Sequence, residues 1–162
     1  MIRQDEPSGQ GADLAILVVA ATRTVADRLE QAVRDAGYPH MRPPFGFVIR
    51  ALAEGGLTLT DLAERLGVTK QAAIKVVDEM EARGFVERRP APGDRRAKIL
   101  TLTERGLGVR RAALAESHAM EAELRRDLGD ADVDAGRRML LRFAERGGSL
   151  ADVHAGRARP VW

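Results

Sequence analysis

The residues of this chain best equipped for chemistry are cations, and they are crowded. From Arg83 through Lys98 the sequence carries Arg83, Arg88, Arg89, Arg95, Arg96 and Lys98 against two acids, Glu87 and Asp94, although the whole 162-residue chain has a formal charge of only +2. A local cationic patch on a nearly neutral chain is the footprint of a surface that meets phosphates. A second group lies just upstream. At helical spacing Ala73, Val76, Val77 and Met80 turn inward, which leaves Lys70, Gln71, Ile74, Lys75 and Asp78 on the outer face. Amide, aliphatic and cationic groups in that mixture can hydrogen-bond base edges, touch methyl groups and neutralise phosphates.

Such groups need a scaffold, and the surrounding residues predict one. Thr60 is the expected N-cap of a helix beginning near Asp61, whose apolar stripe is Leu62, Ala63 and Leu66. Gly67 permits a sharp exit, Val68 plugs the turn, and Thr69 caps a second helix that runs to Gly84. A small residue at the crossing, Ala63, and a glycine at the bend suit two helices joined at a steep angle. After Gly84, Phe85 to Arg89 reads as a strand ended by Pro90. Lys98 to Thr103 alternates, with Leu100 and Leu102 on one face and Ile99, Thr101 and Thr103 on the other. The intervening Ala91-Pro92-Gly93-Asp94-Arg95-Arg96 is turn chemistry, so the two strands form a hairpin with a cationic tip.

Long helical patterns flank this unit. Leu14, Leu17, Val18, Ala21, Val25, Leu29, Ala32 and Val33 predict an amphipathic helix from Asp13 to Ala36, ended by Gly37 and Pro39. Pro43 and Pro44 open a second helix, Phe45 to Ala53, stopped by Glu54-Gly55-Gly56, after which Leu57 to Leu59 is expected to add a third short strand. Downstream, Glu104 to Leu128 and Val133 to Arg146 read as helices separated by Gly129-Asp130. Together the terminal helices carry more apolar surface than a winged unit alone can cover.

The succession from Thr60 to Gly106 resembles the MarR (multiple antibiotic resistance regulator) family. The resemblance rests on the Asp-x-Arg of Asp94 and Arg96, the L-x-L-T strand end at Leu100 to Thr103, and the T-E-x-G helix start at Thr103 to Gly106, and it extends from about Asp13 to Gly147. It implies a mainly α fold with a small β-wing: a winged helix-turn-helix core over 45–103, dimerisation helices over 13–44 and 104–147, and flexible tails at 1–12 and 148–162. It also implies that Thr69 to Lys75 enters the major groove of double-stranded DNA, while Arg96, positioned by Asp94, reaches the minor groove. Gln71 then suits an adenine edge and Ile74 a thymine methyl, with Lys70, Lys75, Arg88, Arg95 and Lys98 placed for phosphates.

The same resemblance implies a homodimer on a pseudo-palindromic operator, most often a repressor of a neighbouring gene. Release would come from a small aromatic or lipophilic effector, with Tyr38, His40, Arg42 and Phe45 as candidate contacts and Met41 and Phe47 beside them. The competing reading is a winged-helix interaction module whose basic hairpin binds another protein without operator specificity.

Composition narrows the remainder. The chain has no cysteine, which excludes thiol redox sensing, and His40, His118 and His154 are too scattered to suggest a metal site. No nucleophile sits in an activating context and Gly55-Gly56 lacks phosphate-loop spacing, so neither an enzyme nor a bound cofactor is expected. With 44% hydrophobic residues, no membrane-length apolar run and no leader pattern, a single cytoplasmic domain with a real core is the expectation. The calculated pI of 9.5 overstates the basicity of a chain this close to neutrality.

Overall fold

The computed structural model of the chain describes residues 13–146, the side chains of residues 94–96 excepted. Its elements are α1 (Leu14–Asp35), α2 (Pro43–Ala51), a 3-10 turn (Leu52–Glu54), α3 (Leu59–Leu66), α4 (Lys70–Ala82), β1 (Val86–Ala91), β2 (Asp94–Leu102), α5 (Glu104–Leu128) and α6 (Asp130–Arg146). The fold is mainly helical with one two-stranded antiparallel wing. The tails expected at 1–12 and 148–162 lie outside the described residues, as do His154 and Trp162.

Local chemistry accounts for most boundaries. The Asp13 carboxylate accepts from the Ala15 amide (2.9 Å) to start α1, and the Thr103 hydroxyl accepts from the Gly106 amide (3.2 Å) to start α5. Helix α2 begins at Pro43, two residues before the expected Phe45, because both prolines fit a first turn whose N–H groups have no intrahelical partner. Its last turn tightens into the 3-10 segment. Helix α6 starts at Asp130 and not at Val133, leaving Gly129 as the sole break from α5. Asp130 and Asp132 then occupy its first turn, where the helix dipole favours negative charge.

One expected cap is corrected. Helix α3 is capped by Thr58, not Thr60: the Thr58 hydroxyl accepts from the Asp61 amide (3.2 Å), and the Asp61 carboxylate accepts in return from the Thr58 amide (3.3 Å). This reciprocal box satisfies two donors at once, whereas Thr60 lies inside the first turn. The expected third strand contracts for the same reason. Leu59 is already helical, and only Leu57 bridges the sheet, bonding Leu100 in both directions at 3.2 and 2.7 Å.

The core sits under α2, α3, α4 and the wing. Phe45, Val48, Leu62, Val77 and Met80 are completely buried, and Phe85, Val86 and Leu100 are nearly so, with the Phe45 and Phe85 rings 6.3 Å apart. In the wing Val86 pairs with Leu102, Arg88 with Leu100 and Pro90 with Lys98. Cross-strand partners share a face, so one face of the hairpin runs outward from the core through Arg88 to Lys98. Pro90 does not end β1, which continues to Ala91 beyond a bulge. Beyond the core α1 packs along α5, and α5 against α6.

Candidate nucleic-acid interface

The candidate reading surface is the outer face of α4, and the α3–α4 turn presents it. Gly67 takes the left-handed conformation (φ 63°) that ends α3, and the Val68 amide closes the turn on the Ala63 carbonyl at 3.1 Å. Thr69 caps α4 as expected, its hydroxyl accepting from the Ala72 amide at 3.2 Å. With Ala73, Val77 and Met80 buried beneath, Thr69, Lys70, Gln71 and Lys75 are exposed and Ile74 is half-buried on one side of the helix.

Charge along α4 is segregated. No acid lies in its first turn, and among the described residues neither Lys70 nor Lys75 has an ion-pair partner. The C-terminal half holds Asp78, Glu79 and Glu81, and every one of these carboxylates is met by arginine. Arg88 pairs with Asp78 (2.6 Å) and with Glu81, while Glu79 takes both Arg42 (2.5 Å) and Arg83 (2.7 Å). An unopposed cationic N-terminal half, reinforced by the positive end of the helix dipole, is thereby left to face an anion.

The wing divides the expected basic residues. Lys98 is exposed opposite Pro90, and Arg89 is exposed with Glu87 at 2.5 Å. Arg88 is spent inside the molecule. It lies on the core-facing side of β1 where the sheet leaves the core, and its guanidinium clamps the wing to the acidic half of α4. The residues of the hairpin tip, Asp94, Arg95 and Arg96, open β2, and the expected contact between Asp94 and Arg96 falls on side chains outside those described.

The candidate effector residues do come together, but as packing and ion pairs. Phe45 is fully buried core, Tyr38 is half-buried, and His40 is exposed with a positive φ of 62°. Arg42 is exposed and paired with Glu79, Met41 and Phe47 pack on the core, and none of the four expected contacts lines the two cavities found elsewhere. One of those cavities, about 200 Å³ and open to solvent, is lined by Glu54, Gly55, Gly56, Leu57 and Arg65; the other, about 450 Å³ and mostly apolar, is lined by Asp13, Leu14, Ala15, Val18, Leu140 and Phe143. Sequence reasoning passed over Glu79 and Glu81. Their signal was present as a cluster of three acids ending a helix next to Arg83 and Arg88, but it does not say which arginine meets which acid.

Comparison with known proteins agrees with this geometry. Residues 47–97, the span from α2 to the wing, match the model of the MarR family. A stretch of 59 residues is 39% identical to the transcriptional repressor MprA of Escherichia coli, covering 36% of this chain and 34% of that protein, so the match spans about a third of this curated relative's length. Over 96 residues the chain is 30% identical to protein Mb2034c of Mycobacterium bovis, covering 59% of this chain and 67% of that protein. Among solved structures, CouR of Rhodococcus jostii superposes with a TM-score of 0.61 at 26% identity over 85% of this chain and 95% of that one. It has been solved with p-coumaroyl-CoA and, described as a transcriptional repressor, on a 23-mer DNA duplex. A helix-turn-helix carried on a buried core, a basic hairpin beside it and these likenesses together lead to one conclusion: the chain belongs to the MarR family, a family of transcriptional regulators.

Proposed function

We propose that this protein is a homodimeric, sequence-specific DNA-binding regulator that represses a nearby operon from a pseudo-palindromic operator. The observation that carries this reading is the segregated charge of α4, where Lys70, Gln71, Ile74 and Lys75 face outward without a carboxylate among them. Thr69 and Gln71 meet base edges or the adjoining backbone, Ile74 meets a methyl, and Lys70, Lys75, Arg95 and Lys98 meet phosphates. Arg96, with Asp94, enters the neighbouring minor groove. Arg88 contributes by holding the wing to α4 and not by touching phosphate directly.

Dimerisation is supported by the terminal helices. Leu17, Val19, Leu124, Leu140 and Phe143 are 41–68% exposed alongside Leu141, and a second copy would cover them. A small aromatic or lipophilic effector would relieve repression, as the CouR complex with p-coumaroyl-CoA suggests. The decisive experiment is a gel-shift titration of the upstream intergenic DNA at about 0.15 M salt against a random duplex. Wild type is expected to prefer the intergenic DNA, and Gln71→Ala and Arg96→Ala to weaken that preference by about tenfold each. Unchanged affinity in both variants removes the operator-reading role.

A further inference from the structure

Between the end of α1 and the start of α2 lies a connection, residues 36–42, held at both ends by side-chain contacts to other elements. At one end, the Tyr38 hydroxyl rests on Gly108 of α5 so closely that any Cβ there would collide with it. Arg105, one turn earlier on α5, lies over the Tyr38 ring at 5.5 Å and over Phe85 at 5.0 Å, joining the connection to α5 and to the core residue just before β1. At the other end the contacts are polar. Arg42 donates to Glu79 at 2.5 Å; Arg83 donates to Glu79 at 2.7 Å and to the His40 carbonyl at 3.1 Å, with its guanidinium 5.4 Å over Phe45. The backbone at His40 is left-handed (φ 62°), a conformation uncommon for a non-glycine residue.

We infer that residues 38–42 form a strut that transmits the position of α5 to α4, and that Glu79 is the positioning residue at its working end. One end bears on the long C-terminal helix. The other grips the last turn of the helix whose first turn carries Lys70 and Gln71. Among the described residues, Glu79 is the only carboxylate of α4 that meets arginines from both the connection and the helix's own C-cap. The inference reassigns the cluster around Tyr38, His40 and Arg42 from ligand contact to mechanical coupling. It rests on the DNA-reading role proposed above.

The test uses the full-length chain as Arg42→Ala, as Glu79→Gln and as both together, titrated with operator and with random duplex. Hydrogen exchange of backbone amides 80–85 is measured in the free protein. A plain charge effect predicts opposite signs, since Arg42→Ala removes a cation and Glu79→Gln removes an anion near the DNA-reading helix. The strut predicts the same sign: operator affinity falls about fivefold in each single variant, no further in the double, with random-duplex affinity unchanged and exchange at 80–85 faster. Tighter operator binding by Glu79→Gln, or affinities within about twofold of wild type in both singles, overturns it. Equal losses on operator and random DNA overturn it as well. If wild type does not distinguish the two duplexes, it is the regulator reading that fails. The exchange measurement then decides the strut by itself, faster exchange in both singles upholding it and unchanged exchange ending it.

Discussion

Phe45 and Phe143 mark two regions that treat apolar surface in opposite ways: the first is 0% exposed and the second 64%. Within the winged unit the large hydrophobic side chains are covered by neighbours from the same chain. Among the described residues, the strongly exposed ones all lie on α1, α5 and α6, and α6 buries none of its residues. The polar groups differ in parallel. In the winged unit ion pairs fix α4 against its wing and connection. Along the terminal helices they join long rods: Arg28 of α1 donates to Glu116 (2.6 Å) and Glu123 (2.5 Å) of α5, and Arg125 of α5 pairs with Glu121 (2.8 Å), Asp130 (3.0 Å) and Asp134 (2.9 Å). The contrast teaches that the winged unit covers its large apolar side chains by itself, while the terminal helices have directional contacts in place and leave many of theirs exposed.

The largest effect should come from the completed region. Phe45→Ala removes a ring with no solvent contact, and chemical denaturation is expected to show a loss of about 3–5 kcal/mol. A cost below about 1 kcal/mol would mean the winged core is not the tightly packed unit described. Next, Leu17→Asp combined with Phe143→Asp places charge on the uncovered faces. Sedimentation should find a folded monomer whose dimer dissociation constant has risen at least about a hundredfold, and an undisturbed dimer would erase the contrast between the regions. Caps offer a finer reading inside the winged unit. Thr58→Ala and Thr69→Ala should each cost about 1 kcal/mol, while Thr60→Ala should stay within about 0.5 kcal/mol.

Acid should produce the smallest effect, expected along the terminal helices. Hydrogen bonds from Arg125 and Arg137 hold the Glu121 carboxyl below its ordinary range, and a hydrogen bond from Arg28 does the same for Glu123. A carboxylate whose pKa is lowered by folding stabilises the folded state above the ordinary carboxylate range, and loses that contribution as pH falls through the lowered value. Exchange protection of α5 and its contacts with α1 and α6 should therefore begin to fail below the ordinary carboxylate range. These groups are exposed, so the change should be modest. Protection that is flat down to the onset of global acid unfolding would show that the ion pairs do not hold the rods together.

Much of the fold was legible because its signals are local. Asp13, Thr69, Thr103 and Gly67 act within a few residues of where they stand, and each helix boundary they predict is found; the alternation of Leu100 and Leu102 gives the faces of β2 but not its start, which lies at Asp94 and not Lys98, inside the expected turn. The misplaced cap came from two threonines within reach of the same helix start, decided by which of them Asp61 could answer. The outer face of α4 was equally legible, since helical spacing separates Ala73, Val77 and Met80 from Lys70, Gln71 and Lys75. Arg88 was not. Nothing at Arg88 distinguishes a cation pointing outward from one folded back on residues seven and ten positions earlier, because that depends on how β1 crosses α4.

The sequence by itself determined where helices start and stop, which stripe each one buries and where cationic charge is concentrated, since periodicity, capping and turn chemistry act over a few residues. The tertiary structure decided which of those charges remain free. It drew Arg42, Arg83 and Arg88 from three separate segments onto the acids of α4 and, among the described residues, left Lys70 and Lys75 without a carboxylate partner. Coulomb attraction falls with distance in space and takes no account of distance along the chain, so only the folded arrangement separates a charge that holds the protein together from one that can meet DNA.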